Sequence, residues 1–332
     1  MLIPEFKGYL ETRKSKSTVE KYVAAARGFF GYLVASGKSP ETMGPGALRD
    51  YVTWLRTSDG QGKVPSPATI QLYAAGAKSW LKFLSGSGVP VPQMADPDLP
   101  KVPKKMPVAM SREELARYST LCLSADEPFG TACLILPYSG LRLDEMRNLR
   151  LSDVITKDVG PDDRRYIFRV RHGKGDKERL TPMFTGPDMA VSHAFDHYLT
   201  SVRPKWDGDL QIMKPERWVF PTPSRVYWRS AVNRNTIEKM LADWRVPTGV
   251  PTLHPHGARV QFATALLSVG HLYDPPIDPL EVARYLGHAR GLDTLQDHYA
   301  GCRLSDAQSW MGVVARPEQA DYAAAVRKSR AG

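Results

Sequence analysis

A proline-rich segment divides this chain of 332 residues and restricts what can fold on either side of it. Six prolines lie between residues 86 and 109, together with the basic residues Lys101, Lys104 and Lys105. Proline fixes φ and donates no backbone hydrogen bond, so the segment cannot continue a helix and favours extended backbone. We predict a helical domain at 1–88, a basic linker at 89–108, a second domain at 109–318 and a tail at 319–332.

The first predicted domain has the periodicity of helices. Apolar residues recur at helical spacing over 19–33 and again over 48–55. Ser17 and Glu20 form a capping-box pattern at the start of the first of these runs. A serine followed by a proline at 66–67 supplies the cap and the first position of a further helix. The pattern predicts a small bundle of helices.

The second predicted domain combines helices with a β-hairpin. Ser111 and Glu114 form another capping box, and the apolar run 129–136 continues the helical pattern. Residues 166–171 and 179–182 flank a turn that contains glycines, which is typical of a hairpin. Helical spacing returns after residue 229. We therefore predict a mainly α protein with a small β-sheet.

The charge of the chain favours an anionic partner. Lysine and arginine number 45 against 35 acidic residues, which gives a net charge of +10. Residues 1–85 alone carry 8 lysines and 4 arginines against 6 acidic residues. Part of this charge is clustered at Arg13, Lys14, Lys16 and Lys21. The cluster indicates a nucleic-acid contact or, alternatively, a solvated helix start.

Composition excludes several classes of protein. Hydrophobic residues make up 42% and charged residues 24%, as in ordinary globular proteins. The 3 cysteines are widely spaced, which argues against a disulfide framework or a zinc ribbon. We see no signal peptide and no apolar run of the roughly 20 residues that a membrane span requires. We expect a cytoplasmic protein that uses no metal and no cofactor.

Two segments of the second domain hold cations suited to a phosphodiester. Arg142 lies three residues before Glu145, so on a helix the carboxylate can orient a guanidinium that grips two phosphate oxygens. Lys174 lies between two glycines in the predicted hairpin turn, where an ammonium can protonate a leaving oxygen. Taken alone, each is more often an ordinary surface feature.

Two later segments hold imidazoles, an arginine and a phenol. His256 and Arg259 share a helix face near a helix start, where backbone N–H groups also favour an anion. His288 follows a leucine and a glycine, and Tyr299 lies eleven residues further on. A tyrosine is a nucleophile when nearby cations stabilise its oxyanion, although most tyrosines are packing residues.

The order of these motifs over about residues 108–303 resembles the tyrosine recombinase, or phage integrase, family, which includes the Xer recombinases, Cre and lambda integrase. The resemblance implies a helical, SAM-like core-binding domain followed by an α+β catalytic domain. The residues that match the family's catalytic set are Arg142, Lys174, His256, Arg259 and His288, with Tyr299 as the nucleophile and Glu145 as the supporting acid. The expected DNA-binding residues are Arg13, Lys14, Lys16, Lys21, Lys101, Lys104, Lys105 and Lys177.

The chain departs from the family pattern at two places. Val260 stands where the family commonly has a second histidine, directly after Arg259. The run from His288 to Tyr299 is also longer than usual, with an insertion expected at 290–291.

The resemblance implies a site-specific recombinase that cleaves and rejoins double-stranded DNA through a 3′-phosphotyrosyl intermediate and a Holliday junction. It implies a homotetramer on synapsed DNA sites, which we expect to be a monomer in solution, at the nucleoid and without a membrane partner. Three alternatives stay open. They are a type IB topoisomerase or telomere resolvase, a catalytically inactive DNA-binding protein, and a metal-dependent nuclease that uses His254, His256, His288 and His298.

Overall fold

The computed structural model describes residues 2–57, 64–103, 108–171, 178–206, 215–223, 230–288, 291–292, 295, 307–318 and 321. The chain forms two compact units, Met1–Lys105 and Met106–Gly332. Several residues that the sequence singles out lie outside the described ranges: Lys104, Lys105, Lys174, Lys177, His298 and Tyr299.

Helices build the described part of the first unit. They are α1 (Ile3–Glu11), α2 (Lys16–Ala35), α3 (Ala47–Thr57) and α4 (Pro67–Gly86). The long helices α2 and α4 pack closely because Gly76 has no side chain: a Cβ there would lie 2.5 Å from the Cβ of Ala25. The rings of Tyr51 and Trp80 pack on Phe29 in the centre of the core. The predicted helical character of this region is confirmed.

Of the two helix starts predicted in the first unit, that of α4 is correct and that of α2 is wrong. The Ser66 hydroxyl accepts from the Thr69 amide and caps α4, as predicted. The capping box at Ser17 is wrong, because α2 already begins at Lys16 and its N-cap is Ser15. The Ser15 carbonyl accepts from the amides of Thr18 and Val19, so Ser17 is already inside the helix.

Residues 89–103 of the proline-rich stretch form neither helix nor strand, and residues up to Pro100 contact the first unit. Gln71 Nε2 donates to the Pro100 carbonyl at 2.9 Å, and an Arg56 guanidinium N–H donates to the Asp98 carbonyl at 2.7 Å. Val89, Val91 and Met94 also pack against the helical core. Residues 89–100 therefore pack along the helices of the first unit.

The second unit contains more helices and a small antiparallel sheet. The helices are α5 (Arg112–Ser124), α6 (Phe129–Ser139), α7 (Leu143–Arg147), α8 (Ala190–His197), α9 (Arg234–Asp243), α10 (Arg245–Thr248), α11 (Pro255–Val269), α12 (Pro279–Leu286) and α13 (Ala307–Met311). The strands are β1 (Val154–Gly160), β2 (Asp163–Val170) and β3 (Arg179–Pro182), in the order β1-β2-β3. The mainly α fold class with a small sheet is confirmed.

Local signals in the second unit were largely correct. Ser111 and Glu114 form the predicted capping box at the start of α5. Strands β2 and β3 pair as the predicted hairpin, from Ile167 opposite Pro182 to Val170 opposite Arg179. The sequence did not predict β1, because this strand is polar and largely exposed and depends on pairing with β2.

The core of the second unit surrounds α6 and α11. Both helices are buried on nearly every side, so their sequences are apolar without the stripe of a surface helix. The ends of these two helices bring the predicted Arg142 and Arg259 segments into one region. Within the described ranges, every helix is too short or too polar to span a membrane.

Candidate active site

A tight turn after α6 presents Arg142. Helix α6 ends at Ser139, and Gly140 takes the left-handed conformation with φ of 63°. A Cβ on Gly140 would lie only 2.4 Å from Phe262 Cδ1, so the turn requires glycine for space as well as for φ. The chain then reverses, and Arg142 becomes the N-cap of the short helix α7.

Glu145 holds Arg142 in the way that their spacing predicts. Its Oε2 accepts from the Arg142 backbone amide at 2.8 Å, and its Oε1 accepts from Arg142 Nη1 at 2.7 Å. The Glu145 side chain is 6% exposed, whereas that of Arg142 is 32% exposed. The carboxylate is therefore buried behind a guanidinium that still reaches the surface.

A second arginine binds the same carboxylate. Arg179, the first residue of β3, donates from Nη1 to Glu145 Oε1 at 2.9 Å and from Nη2 to Oε2 at 2.6 Å. Burial by itself would raise the pKa of Glu145, but the hydrogen bonds and charge of Arg179, helped by Arg142, lower it to about 2. Glu145 is thus a buried carboxylate that stays ionised.

The end of α12 gathers three arginines. Helix α12 ends at Leu286, and Gly287 follows with φ of 63°. The last carbonyls of a helix have no partner within the helix and carry partial negative charge, so they attract cations. Arg179 Nε donates to the carbonyl of residue 285 at 2.7 Å, Arg259 donates to that of 286, and Arg142 donates to that of 287 at 3.4 Å.

Arg259 joins this cluster from α11. It is 2% exposed, and its Nη1 also donates to the Gly140 carbonyl at 2.5 Å. One guanidinium therefore ties the turn after α6 to the end of α12. His288 comes directly after this end, with its amide donating to the Ala283 carbonyl at 3.0 Å and its ring half-buried.

The start of α11 carries two histidines with different environments. His254 is the N-cap of α11, where its Nδ1 accepts from the Gly257 amide at 3.0 Å. His256 lies in the first turn and is exposed, with its ring centroid 6.2 Å from that of His254. The sequence did not predict the capping role of His254, because histidine is an uncommon N-cap residue.

The hairpin of β2 and β3, whose strands flank Lys174 in the sequence, is anchored at its base. Asp153, buried before β1, accepts from Arg169 Nε at 3.1 Å and from Arg171 Nε at 2.6 Å. Arg171 also donates to the Ser152 hydroxyl at 2.7 Å. Arg171, the last described residue after β2, is thus fixed by Asp153 and Ser152. Arg179, the first residue of β3, is fixed by Glu145 and the Tyr285 carbonyl.

The predicted site residues have three outcomes. Arg142, Glu145, Arg259 and His288 meet at the end of α12, and His256 lies in the first turn of α11. Lys174, Lys177 and Tyr299 lie outside the described residues, as do Lys104 and Lys105. The other expected DNA contacts belong to the first unit and are exposed: Arg13, Lys14, Lys16, Lys21 and Lys101.

The residue that the sequence did not single out is Arg179. Its signal was an arginine at the start of a strand whose next residue, Leu180, is apolar, but a strand-end arginine is usually a surface residue. The nuclease alternative receives no support from geometry: among the described side chains, no three of His, Cys, Asp or Glu are grouped as metal ligands.

Comparison with known proteins places the chain in a family. The phage integrase family model matches residues 113–301. A tyrosine recombinase of Thermosipho africanus is 26% identical over 276 residues, which cover 81% of this chain and 86% of that protein. Tyrosine recombinase XerD of Shewanella oneidensis is 28% identical over 299 residues, covering 88% and 89%.

Solved structures share the fold. XerH recombinase bound to a palindromic difH substrate, in a post-cleavage complex, aligns with a TM-score of 0.60 at 16% identity, covering 84% of this chain and 75% of that one. A lambda integrase dimer bound to a COC′ core site aligns with a TM-score of 0.60 at 12% identity, covering 91% and 96%.

This chain belongs to the phage integrase family, the tyrosine recombinases. It is therefore a site-specific recombinase, an enzyme that transfers DNA strands. The names of its relatives favour recombination over the topoisomerase and telomere-resolvase alternative.

Proposed function

We propose that this recombinase acts through Tyr299, which attacks the scissile phosphate and forms a 3′-phosphotyrosyl ester while a 5′-hydroxyl leaves. Strands are then exchanged through a Holliday junction. The observation that supports this proposal most is the convergence of Arg142, Arg259 and His288 at the end of α12. Few surfaces other than a phosphate site gather two guanidinium groups and an imidazole in this way.

Arg142 and Arg259 are proposed to bind the two non-bridging oxygens of the scissile phosphate. Negative charge grows on these oxygens as phosphorus becomes pentavalent, and fixed cations stabilise it without reorganisation. A ring N–H of His288 donates to the same oxygens. Glu145 keeps Arg142 oriented, which lowers the entropic cost of reaching the reactive geometry.

The remaining groups are proposed to move protons. The Tyr299 hydroxyl oxygen bonds to phosphorus as the bond from phosphorus to the 5′ oxygen breaks. His256 accepts or shares the phenolic proton, and Lys174 donates a proton to the departing oxygen. The ester retains the bond energy, so rejoining by a new 5′-hydroxyl consumes no nucleotide.

Double-stranded DNA is the proposed partner, in agreement with the XerH and lambda integrase structures, in which those proteins are bound to a difH substrate and a COC′ core site. We propose that an exposed basic cluster and Lys101 contact backbone phosphates. The cluster comprises Arg13 and Lys14, which precede α2, and Lys16 and Lys21, which lie in α2. We propose a homotetramer on two synapsed sites that assembles from monomers, at the nucleoid where the substrate lies.

The proposal is tested by trapping the covalent intermediate on a nicked suicide DNA substrate. Tyr299→Phe should abolish the adduct and leave DNA binding nearly unchanged, because only the attacking oxygen is lost. Tyr273→Phe is the control: its hydroxyl accepts from the Val314 amide, and the variant should still form the adduct. An undiminished adduct with Tyr299→Phe would remove Tyr299 from its role, and DNA cleavage that leaves no adduct and stops in EDTA would favour a metal nuclease.

A further inference from the structure

We propose that Arg179 is a positioning residue for the cleavage reaction: it fixes the Glu145 carboxylate so that Arg142 faces the scissile phosphate. The inference rests on the proposed function of Arg142. Arg179 itself does not touch the phosphate in this proposal. It acts through Glu145, and it joins the strand after the hairpin turn to the two segments that carry Arg142 and His288.

The hydrogen bonds of Glu145 divide evenly between the two arginines. Oε1 accepts from Arg142 Nη1 at 2.7 Å and from Arg179 Nη1 at 2.9 Å. Oε2 accepts from the Arg142 amide at 2.8 Å and from Arg179 Nη2 at 2.6 Å. Because Arg179 bridges both oxygens, the plane of the carboxylate cannot rotate, and only one guanidinium nitrogen of Arg142 is engaged by it.

Without Arg179 the same carboxylate has a different best partner. Glu145 is 6% exposed, so an uncompensated charge there is costly and will recruit the nearest cation more fully. That cation is Arg142, which can turn to form a two-pronged pair with both oxygens. Its donors would then point to Glu145 instead of the phosphate. Arg179 prevents this by donating a second hydrogen bond to each carboxylate oxygen.

Charge arithmetic supports the same role. Arg142, Glu145 and Arg179 together carry one net positive charge, whereas Arg142 and Glu145 alone carry none. An anionic phosphate is attracted to the trio and far less to the pair. A lysine at 179 would keep the charge but has no planar fork to bridge two oxygens.

The glycine of the Leu-Gly-His motif makes room for Arg179. A Cβ on Gly287 would lie 3.0 Å from Arg179 Cδ and 3.1 Å from its Nε. The Nε in turn donates to the carbonyl of Tyr285 at 2.7 Å. The guanidinium is therefore wedged between the Glu145 carboxylate and the end of α12, with its fork held in one orientation. A side chain held so firmly can orient its neighbours.

The test compares two DNA substrates that differ at the scissile phosphate: the normal diester, and a methylphosphonate in which a methyl group replaces one non-bridging oxygen. The methylphosphonate is uncharged, so its cleavage depends less on a correctly placed Arg142. Arg179→Met should slow adduct formation on the diester on the order of 100-fold, as expected for a misplaced catalytic group. On the methylphosphonate it should slow the reaction less than about tenfold. Arg142→Ala should show the same selectivity.

Two further variants separate positioning from folding. Arg179→Met combined with Glu145→Gln removes both buried charges, so it should melt near the wild-type temperature. Because no carboxylate is left to capture Arg142, the double variant should recover part of the diester rate that Arg179→Met loses. Arg203→Met removes another buried arginine, whose Nε donates to the Trp218 carbonyl, and should lower the melting temperature without changing the ratio of the two rates.

Equal slowing on both substrates, or no slowing, by Arg179→Met would overturn the inference. A double variant that cleaves the diester no faster than Arg179→Met alone would also overturn it, since the loss would then not act through the Glu145 carboxylate. Wild-type protein that forms no adduct on either substrate would instead contradict the proposed function, so the two failures are distinguishable.

Discussion

Glu145 is the residue whose ionisation the site depends on most. Burial opposes its charge, but Arg179 and Arg142 together lower its pKa to about 2, from an ordinary value of 4.5. A carboxyl with a depressed pKa in the folded state stabilises the fold fully above its unfolded pKa. That contribution is lost as pH falls from about 4.5 toward 2. The Glu145 carboxylate therefore stays ionised at neutral pH and keeps both arginines as partners.

The pKa shift of Glu145 predicts a specific acid sensitivity. Between pH 5 and pH 2 the wild-type second unit should lose about 3 kcal/mol more unfolding free energy than Glu145→Gln, which has no proton to gain. Urea titrations followed by tryptophan fluorescence at several pH values measure this difference. Glu238→Gln, which removes an exposed carboxylate paired with Arg234, should follow the wild-type curve. Parallel curves for wild type and Glu145→Gln would contradict the prediction.

Lys174 can be tested as a single proton donor. Lys174→Ala should slow cleavage of normal DNA by about 10²- to 10⁴-fold, the usual contribution of a general acid. When sulfur replaces the 5′ leaving oxygen, the departing thiolate needs no proton, so the variant should approach the wild-type rate. Lys157→Ala removes a lysine of β1 that pairs with Asp321, and this variant should cleave both substrates at the wild-type rate. Equal slowing on both substrates would argue against the acid role.

At the scale of elements, the site depends on helix ends. The turn after α6 presents Arg142, the last carbonyls of α12 bind arginines, and the start of α11 carries His256. Helix ends expose backbone N–H and C=O groups that have no partner within the helix, so these ends attract charged side chains. Left-handed glycines stop α6 and α12 at the positions that this geometry requires.

The turn after α6 is the element most sensitive to one methyl group. Gly140→Ala adds left-handed strain and a contact with Phe262, so it should destabilise the second unit by about 3 kcal/mol. Thermal melting measures the loss, and diester cleavage should fall as Arg142 shifts. Gly160→Ala is the control, because its Cβ would meet only Asp163 Cβ at 3.9 Å. A Gly140→Ala protein as stable as Gly160→Ala would refute this account of the turn.

At the scale of the whole molecule, net charge sets DNA affinity. The chain carries +10, and the cluster at Arg13, Lys14, Lys16 and Lys21 is exposed in the first unit. Arg13 also lies over the Tyr9 ring, with its Cζ 4.1 Å from the ring centroid. Binding that rests on phosphate contacts releases counterions, so affinity must fall steeply as salt is added.

Replacing these four residues with glutamine should lower the slope of log affinity against log salt by about 3 to 4, since each phosphate contact contributes about 0.9. Fluorescence anisotropy with labelled DNA at several salt concentrations measures the slope. The matched control changes Arg27, Lys38, Arg49 and Lys82 to glutamine, which removes the same charge from exposed positions of the same unit. An equal change of slope in the control would show that the cluster has no special role.

Local chemistry made part of the molecule predictable from sequence. The caps at Ser66 and Ser111, the β2–β3 pairing and the pair of Arg142 with Glu145 each depend on residues close together in the chain. The motif order also indicated the family. The cap at Ser17 failed because Ser15 offered an equally good local start.

Only the tertiary structure decided which of these distant segments contact one another. Arg179 reaches Glu145 across 34 positions, and Arg259 reaches Gly140 across 119, so no local pattern reveals either contact. Strand β1 and the packed stretch 89–100 likewise depend on surfaces that exist only after folding. The sequence by itself determined which side chains could hold a phosphate. Packing determined which of them share one carboxylate and one helix end, because burial forces charged groups to find partners wherever the fold places them.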